Sequence, residues 1–358
     1  MAKIKGLSEA ELRQKMLEEI LAKKGGGKPT TSPPPPEPEP VMAMPEVDIS
    51  GKVKLGSIVG NSWDIMVSPP HDVSSWDESV RKYIPEKNEH YVYSNSYMRF
   101  ATAMELGLKT MLVGMPGTGK DETAKQWCAD FKVPYFRIMG MRNVTPDVVV
   151  GHHSIVDGTM IWVEGDADLP CRFGGMLVIS EPAGMPPDTL FCLQSALESP
   201  GYLAIMDHPD QEQRRLYIDP RTRIVLTSNV RGYGDDTDKY AATTVMDAST
   251  LNRIESMQVV PPMPPEQEVE ALSRYVPGID VGIMQKMVSL GNLIRAGWNK
   301  GEIDPSWSMR NLIAWGKMLA LHGSIGTGFK DTFYDKLSDI QKVAVARFFH
   351  DVGFKETL

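Results

Sequence analysis

The stretch GMPGTGKDE, residues 114–122, gathers the residues best suited to chemistry. Gly114, Gly117 and Gly119 let a backbone curl closely enough for its N–H groups to face phosphate. Met115, Pro116 and Thr118 complete the loop, Lys120 adds a point charge for the outer phosphates of a nucleotide, and Glu122 closes the stretch. An apolar run, TMLV, precedes the loop and a helical pattern follows it, so the positive end of a helix joins the cradle. The position after the lysine ordinarily offers a Ser or Thr hydroxyl to Mg²⁺. Here it is Asp121. A carboxylate is also an oxygen ligand for a hard cation. Without metal its charge repels phosphate, so nucleotide affinity is expected to depend unusually strongly on metal.

A second acidic position lies in GGMLVISEPAGMPPDTLF. Leu177, Val178 and Ile179 form a buried strand run, and Glu181 emerges at its C-terminal end, where open α/β sheets place chemistry. Its role would be to orient and activate an attacking water. An ordinary nucleotide motor carries Asp just before this Glu; this chain has Ser180. The two departures are complementary, a hydroxyl for a carboxylate at one position and the reverse at the other. Asp121 and Ser180 are therefore expected to face each other across the metal with their ligand roles exchanged. The rival expectation is that hydrolysis is lost and binding kept.

Three further polar residues could complete such a site. Asn229 ends the apolar run TRIVLTSN and could position water or sense the γ-phosphate; a loop-capping Asn is the alternative. Arg253, in DASTLNRIESMQV, could neutralise transition-state charge by reaching into a neighbouring subunit; a surface ion pair is the alternative. Arg310, in SWSMRNL, could touch phosphate when a lid closes, or make a structural bridge.

These residues need a scaffold that brings strand ends together. SNSYMRFATAMELGLK reads as a helix, TMLVG as a strand, and the loop then turns into the helix of KDETAKQWCAD. VPYFRIMG, GGMLVISE and TRIVLTSN read as three more strands with helical candidates between them. Strand, crossover helix, strand repeated in this way predicts an α/β fold, a parallel sheet flanked by helices. After PPMPPE near residue 260 the pattern becomes helical and predicts a C-terminal helical lid domain over 261–358. The segment 94–260 is then the nucleotide-binding domain, and 47–93 an extension packed on it. Residues 25–46 are a proline-rich linker. Residues 1–24 carry a docking helix: Ser8 and Glu11 make a capping box, and Leu12, Met16 and Ile20 share a face.

At these motifs the chain resembles the MoxR/CobS-like AAA+ ATPases, the dynein-related type that includes the cobaltochelatase ATPase subunit and the NorQ and CbbQ activators. GMPGTGKD matches the first nucleotide motif apart from Asp121, and LVISEP the second apart from Ser180. TSNVRGYGDDTDKYAATTVMDASTLNRIE resembles the sensor-1 segment running on to the finger arginine, and SMR the sensor-2 region. The similarity covers roughly residues 94–350. It implies ATP as the nucleotide, Mg²⁺ as the metal, and a ring, usually a hexamer, with nucleotide at subunit interfaces. By resemblance Asn229 is sensor 1, Arg253 the interfacial finger and Arg310 sensor 2. Relatives often act with a protein carrying a von Willebrand factor A domain. This chain holds no D-x-S-x-S signature of that domain, so such a partner would be a separate protein.

Composition narrows the classes that remain. Of 358 residues, 42% are hydrophobic and 23% charged, as in an ordinary soluble protein. A formal net charge of -8 argues against broad nucleic-acid binding, although a nucleic-acid motor stays as an alternative, as does a nucleotide-gated scaffold. The three cysteines, Cys128, Cys171 and Cys192, form no paired framework, which suits a reducing compartment. No membrane span or signal peptide is expected, and the location expected is cytoplasmic. NVTPDVVVGHHSIVDGTMIWVEGDADLPCRF predicts β pieces broken by turns, an insertion facing the ring pore or a partner by resemblance. His152 and His153 within it read as loop histidines. Leu312, Ile313, Trp315 and Leu319 read as one helix's core face. The charged turn near Asp235–Asp238 reads as solvated or packed near a neighbour, with a second cation site as the alternative.

Overall fold

Central strands of a parallel sheet covered on both faces have no wet side, so they appear as unbroken apolar runs. The strand Thr110–Val113 (β1) and the strand Met176–Ser180 are buried at every position. The computed structural model describes residues 49–232 and 245–358. The helix expected within 1–24, the linker at 25–46 and the turn at Asp235–Asp238 lie outside the described residues.

In chain order the framework begins with the helix Asn95–Glu105 (α1) and then β1. Next come the helix Lys120–Phe131 (α2), the strand Tyr135–Met139 (β2) and a hairpin of Gly151–Val156 (β3) with Thr159–Glu164 (β4). The strands Met176–Ser180 (β5) and Arg223–Ser228 (β6), the short helix Ala248–Asn252 (α3) and the strand Ser256–Val259 (β7) complete the sheet layer. The strands lie in the order β7-β1-β6-β5-β2, and every neighbouring pair is parallel. The predicted α/β architecture is therefore the observed one. Sequence reading expected four strands. The fifth, β7, is only four residues long, exposes alternate residues and sits at the edge beside β1, so it carries no apolar run to mark it.

Helices Pro265–Tyr275 (α4), Val281–Asn299 (α5), Met309–His322 (α6), Ile325–Thr332 (α7) and Asp339–Asp351 (α8) follow the sheet. They enclose a second apolar core built around Trp307, Trp315, Phe329, Phe333 and Phe349. The start of α6 is fixed by sequence: the Ser308 side chain caps the backbone while Asn311 reaches back to it. Ser338 and Gln341 form a second capping box, which starts α8 afresh after α7.

Residues ahead of α1 pack on the sheet layer, where Leu55, Val67, Trp76 and Val80 join its core. Asn88 then ties the layers together. Its amide nitrogen donates to Glu122 Oε1 at 2.9 Å on α2 and to the Tyr275 hydroxyl at 2.6 Å on α4. Leu312, Trp315 and Leu319 are buried in the helical core as expected, but Ile313 lines the cleft described next.

Candidate nucleotide site

Loops at the C-terminal ends of β1, β5 and β6 open into a cleft of about 1120 Å³. The α4–α6 helices form its other wall. Two of the loop's glycines have left-handed backbone angles, Gly117 at φ 77° and Gly119 at φ 86°. Gly119 is the residue from which α2 starts, which points that helix's free N–H groups at the loop. At Gly117 space is also a constraint: a Cβ there would lie 2.2 Å from Ser308 Cβ. The loop thus rests directly against the cap of α6. Met115, Pro116, Gly117, Thr118 and Gly119 line the cleft; Gly114 contributes its carbonyl from behind.

Lys120 is 8% exposed and its Nζ is fully engaged. It donates to Gly114 O at 2.8 Å, Met115 O at 3.1 Å and Asn229 Oδ1 at 2.9 Å. Burial pulls the ammonium below its ordinary value, against the opposing charges of Glu181 and Asp121. Glu181 leaves β5 with φ 54°, a strained angle for a residue with a side chain. Burial raises its carboxyl above the usual range, partly offset by the Asn229 N–H, which lies 3.3 Å from Oε2, and by Lys120. Asn229 therefore touches Lys120 with its side chain and Glu181 with its backbone.

Asp121 and Ser180 do meet. Ser180 Oγ donates to Asp121 Oδ1 at 3.2 Å, and the Thr227 hydroxyl donates to the same oxygen. Sequence reading did not anticipate the third member. Arg137 on β2 donates from Nη2 to Asp121 Oδ2 at 2.7 Å and from Nε to Ser180 Oγ at 2.8 Å. The expected bare carboxylate is thus a paired one. The available signal was a single arginine in the otherwise apolar run VPYFRIMG, at an exposed position of an alternating strand. Asp121 with the Ser180 and Thr227 hydroxyls is an all-oxygen donor set, which suits a hard cation such as Mg²⁺. Among the described residues no three His, Cys, Asp or Glu side chains form a metal cluster.

Glu122 and Arg310 also line the cleft, Arg310 from the first turn of α6. Arg253 does not. It lies at the end of α3 and pairs with Glu198 at 2.7 Å. His153 donates from Nε2 to Asp207 O at 3.0 Å and packs edge-on against Trp162, and both His152 and His153 are exposed.

A family model described as AAA domain (dynein-related subfamily) matches residues 109–244. The aerobic cobaltochelatase subunit CobS of Sinorhizobium sp is 27% identical over 273 residues, 74% of this chain and 81% of that protein. The von Willebrand factor A domain-containing protein 8 of Mus musculus is 23% identical over 317 residues, 84% of this chain and only 15% of that protein. Among solved structures, the Thermotoga maritima RuvB Holliday junction branch migration motor overlaps 73% of this chain and 75% of its own, at 14% identity and TM-score 0.43. A putative ATPase from Cytophaga hutchinsonii overlaps 77% and 92%, at 14% identity and TM-score 0.41. The matched segment, residues 109–244, carries the pattern of an AAA domain, an architecture that supports nucleotide hydrolysis.

Proposed function

We propose that this chain is an ATP-driven motor that works as a ring on a separate partner protein. The observation that carries the reading is the Lys120–Asn229–Glu181 chain of contacts at the mouth of the glycine loop. A phosphate entering the loop competes with Gly114 O, Met115 O and Asn229 Oδ1 for the Lys120 ammonium. Once Asn229 Oδ1 is released, it can hold a water for Glu181. Glu181, its proton affinity raised by burial, then takes a proton from that water. Arg310 reaches the phosphates from α6, and the rings of His90 and Tyr275, with centroids 5.0 Å apart at another part of the cleft, offer faces for the base. Asp121, with Ser180 and Thr227, would hold Mg²⁺. When bound, the ion would offset charge on the outer phosphates.

Arg253 lies off its own subunit's cleft, which suits a finger that serves the neighbouring subunit of a hexamer. A partner bearing a von Willebrand factor A domain is supported by the relative named for that domain. Among the described residues no helix is long and apolar enough to cross a membrane. The test is the mass of the full chain with and without ATP and Mg²⁺, together with phosphate release. A ring that forms with nucleotide and releases phosphate is the expected result. A ring without release would leave a nucleotide-gated scaffold, and a monomer under every condition would remove the ring.

A further inference from the structure

Asp121 stands one residue beyond the phosphate-binding lysine, so its charge faces incoming phosphates at close range. A negative group there opposes nucleotide unless a cation offsets it. The fold supplies one from its own chain. One guanidinium engages both Asp121 Oδ2, at 2.7 Å, and Ser180 Oγ, at 2.8 Å. Ser180 and Thr227 satisfy Asp121 Oδ1 in turn, so both carboxylate oxygens have donors. Arg137 lines the same cleft as Lys120 and Glu181. The two charged side chains retain 38% and 36% of their exposure, so the guanidinium can swing to water without being left buried and unpaired.

We propose that Arg137 is a resident countercation for Asp121. It lets the site hold nucleotide without a divalent ion and yields the carboxylate when Mg²⁺ arrives. Arg137 is a positioning residue in this account, acting on phosphate affinity through the charge of Asp121. The inference rests on the nucleotide-site reading above and reverses the strong metal dependence expected from the bare sequence.

The test is calorimetric binding of AMP-PNP, a non-hydrolysable ATP analogue, to the full chain in excess EDTA and in Mg²⁺. The readout is the ratio of the two dissociation constants. Arg137→Gln is expected to raise that ratio at least about tenfold over wild type. Arg137→Lys, which keeps the charge, is expected to stay within about threefold of wild type. Adding Asp121→Asn to Arg137→Gln is expected to bring the ratio back down, because the charge that needed offsetting is gone. A merely structural arginine would weaken binding alike in both buffers. An unchanged ratio in R137Q, or a double variant no better than R137Q, overturns the proposal. If R137Q fails to fold, Arg137→Met, of similar length and without charge, takes its place with the same expected ratio. Failure of wild type to bind AMP-PNP even in Mg²⁺ would instead overturn the nucleotide site itself.

Discussion

Lys120 is held by three oxygens of its own chain, so nucleotide binding at this residue is an exchange of partners. Phosphate oxygens replace two neutral carbonyls and one amide oxygen, and an ammonium holds an anionic oxygen more strongly than a neutral one. Lys120→Ala is accordingly expected to weaken AMP-PNP binding about 10- to 100-fold, measured by calorimetry. Much of this was legible in the sequence because the loop is local: its glycines and lysine are within seven residues, Gly114 to Lys120. Glu181 and Asn229 were legible too, as polar residues at the ends of apolar strands. Arg137 was not read as part of the site. Its partners lie 16 and 43 residues away, and only the β5–β2 pairing, with Arg137 opposite Val178, brings them within reach.

Among the elements, α6 is placed to report what the loop does, since Gly117 abuts its cap. Gly117→Ala and Gly119→Ala both put a side chain at positive φ, at about 1–2 kcal/mol each. Only the first also drives a Cβ into Ser308; a Cβ at Gly119 meets open space. Thermal denaturation should therefore show G117A as the less stable of the two, and AMP-PNP binding should show it as the weaker.

The neighbouring α7 shows how a helix start can depend on pH. Glu356 accepts from the Gly326 N–H at 2.7 Å, the Ser324 hydroxyl at 2.7 Å and the Ile325 N–H at 3.2 Å. Burial works to raise its carboxyl, but these donors outweigh burial and leave it below the ordinary 4.5. A lowered folded value means the stabilisation is present above the unfolded value and fades as pH falls through the folded one. Glu356→Gln should lower the melting temperature at neutral pH, and the gap to wild type should close in acid. At this scale the two capping boxes were written locally at Ser308 and Ser338, whereas the short edge strand β7 takes its identity from lying beside β1.

Among the described residues, two apolar cores flank a cleft, and the residues that would bind nucleotide come from both sides of it. The sheet side brings Lys120, Glu181 and Asn229; the helical side brings Arg310. Alternating strand and helix patterns in the sequence foretold this division, because each layer must bury its own apolar face. What the chain acts on was not legible. The hairpin β3–β4 exposes Ile155, Met160 and Ile161, but these residues carry no chemistry that names a partner. Arg253 is paired with Glu198 within its own chain, and the finger role proposed for it needs a second copy that a single sequence does not show.

The central claim is that ATP held by Lys120 is hydrolysed with Glu181 as the proton acceptor. Single-turnover phosphate release from ATP already bound to the full chain in Mg²⁺ tests it most directly. Wild type should release phosphate, and Glu181→Gln should release it about 10²- to 10⁴-fold more slowly from the same bound ATP. Release from E181Q at the wild-type rate, or ATP retained intact by wild type, would contradict the account.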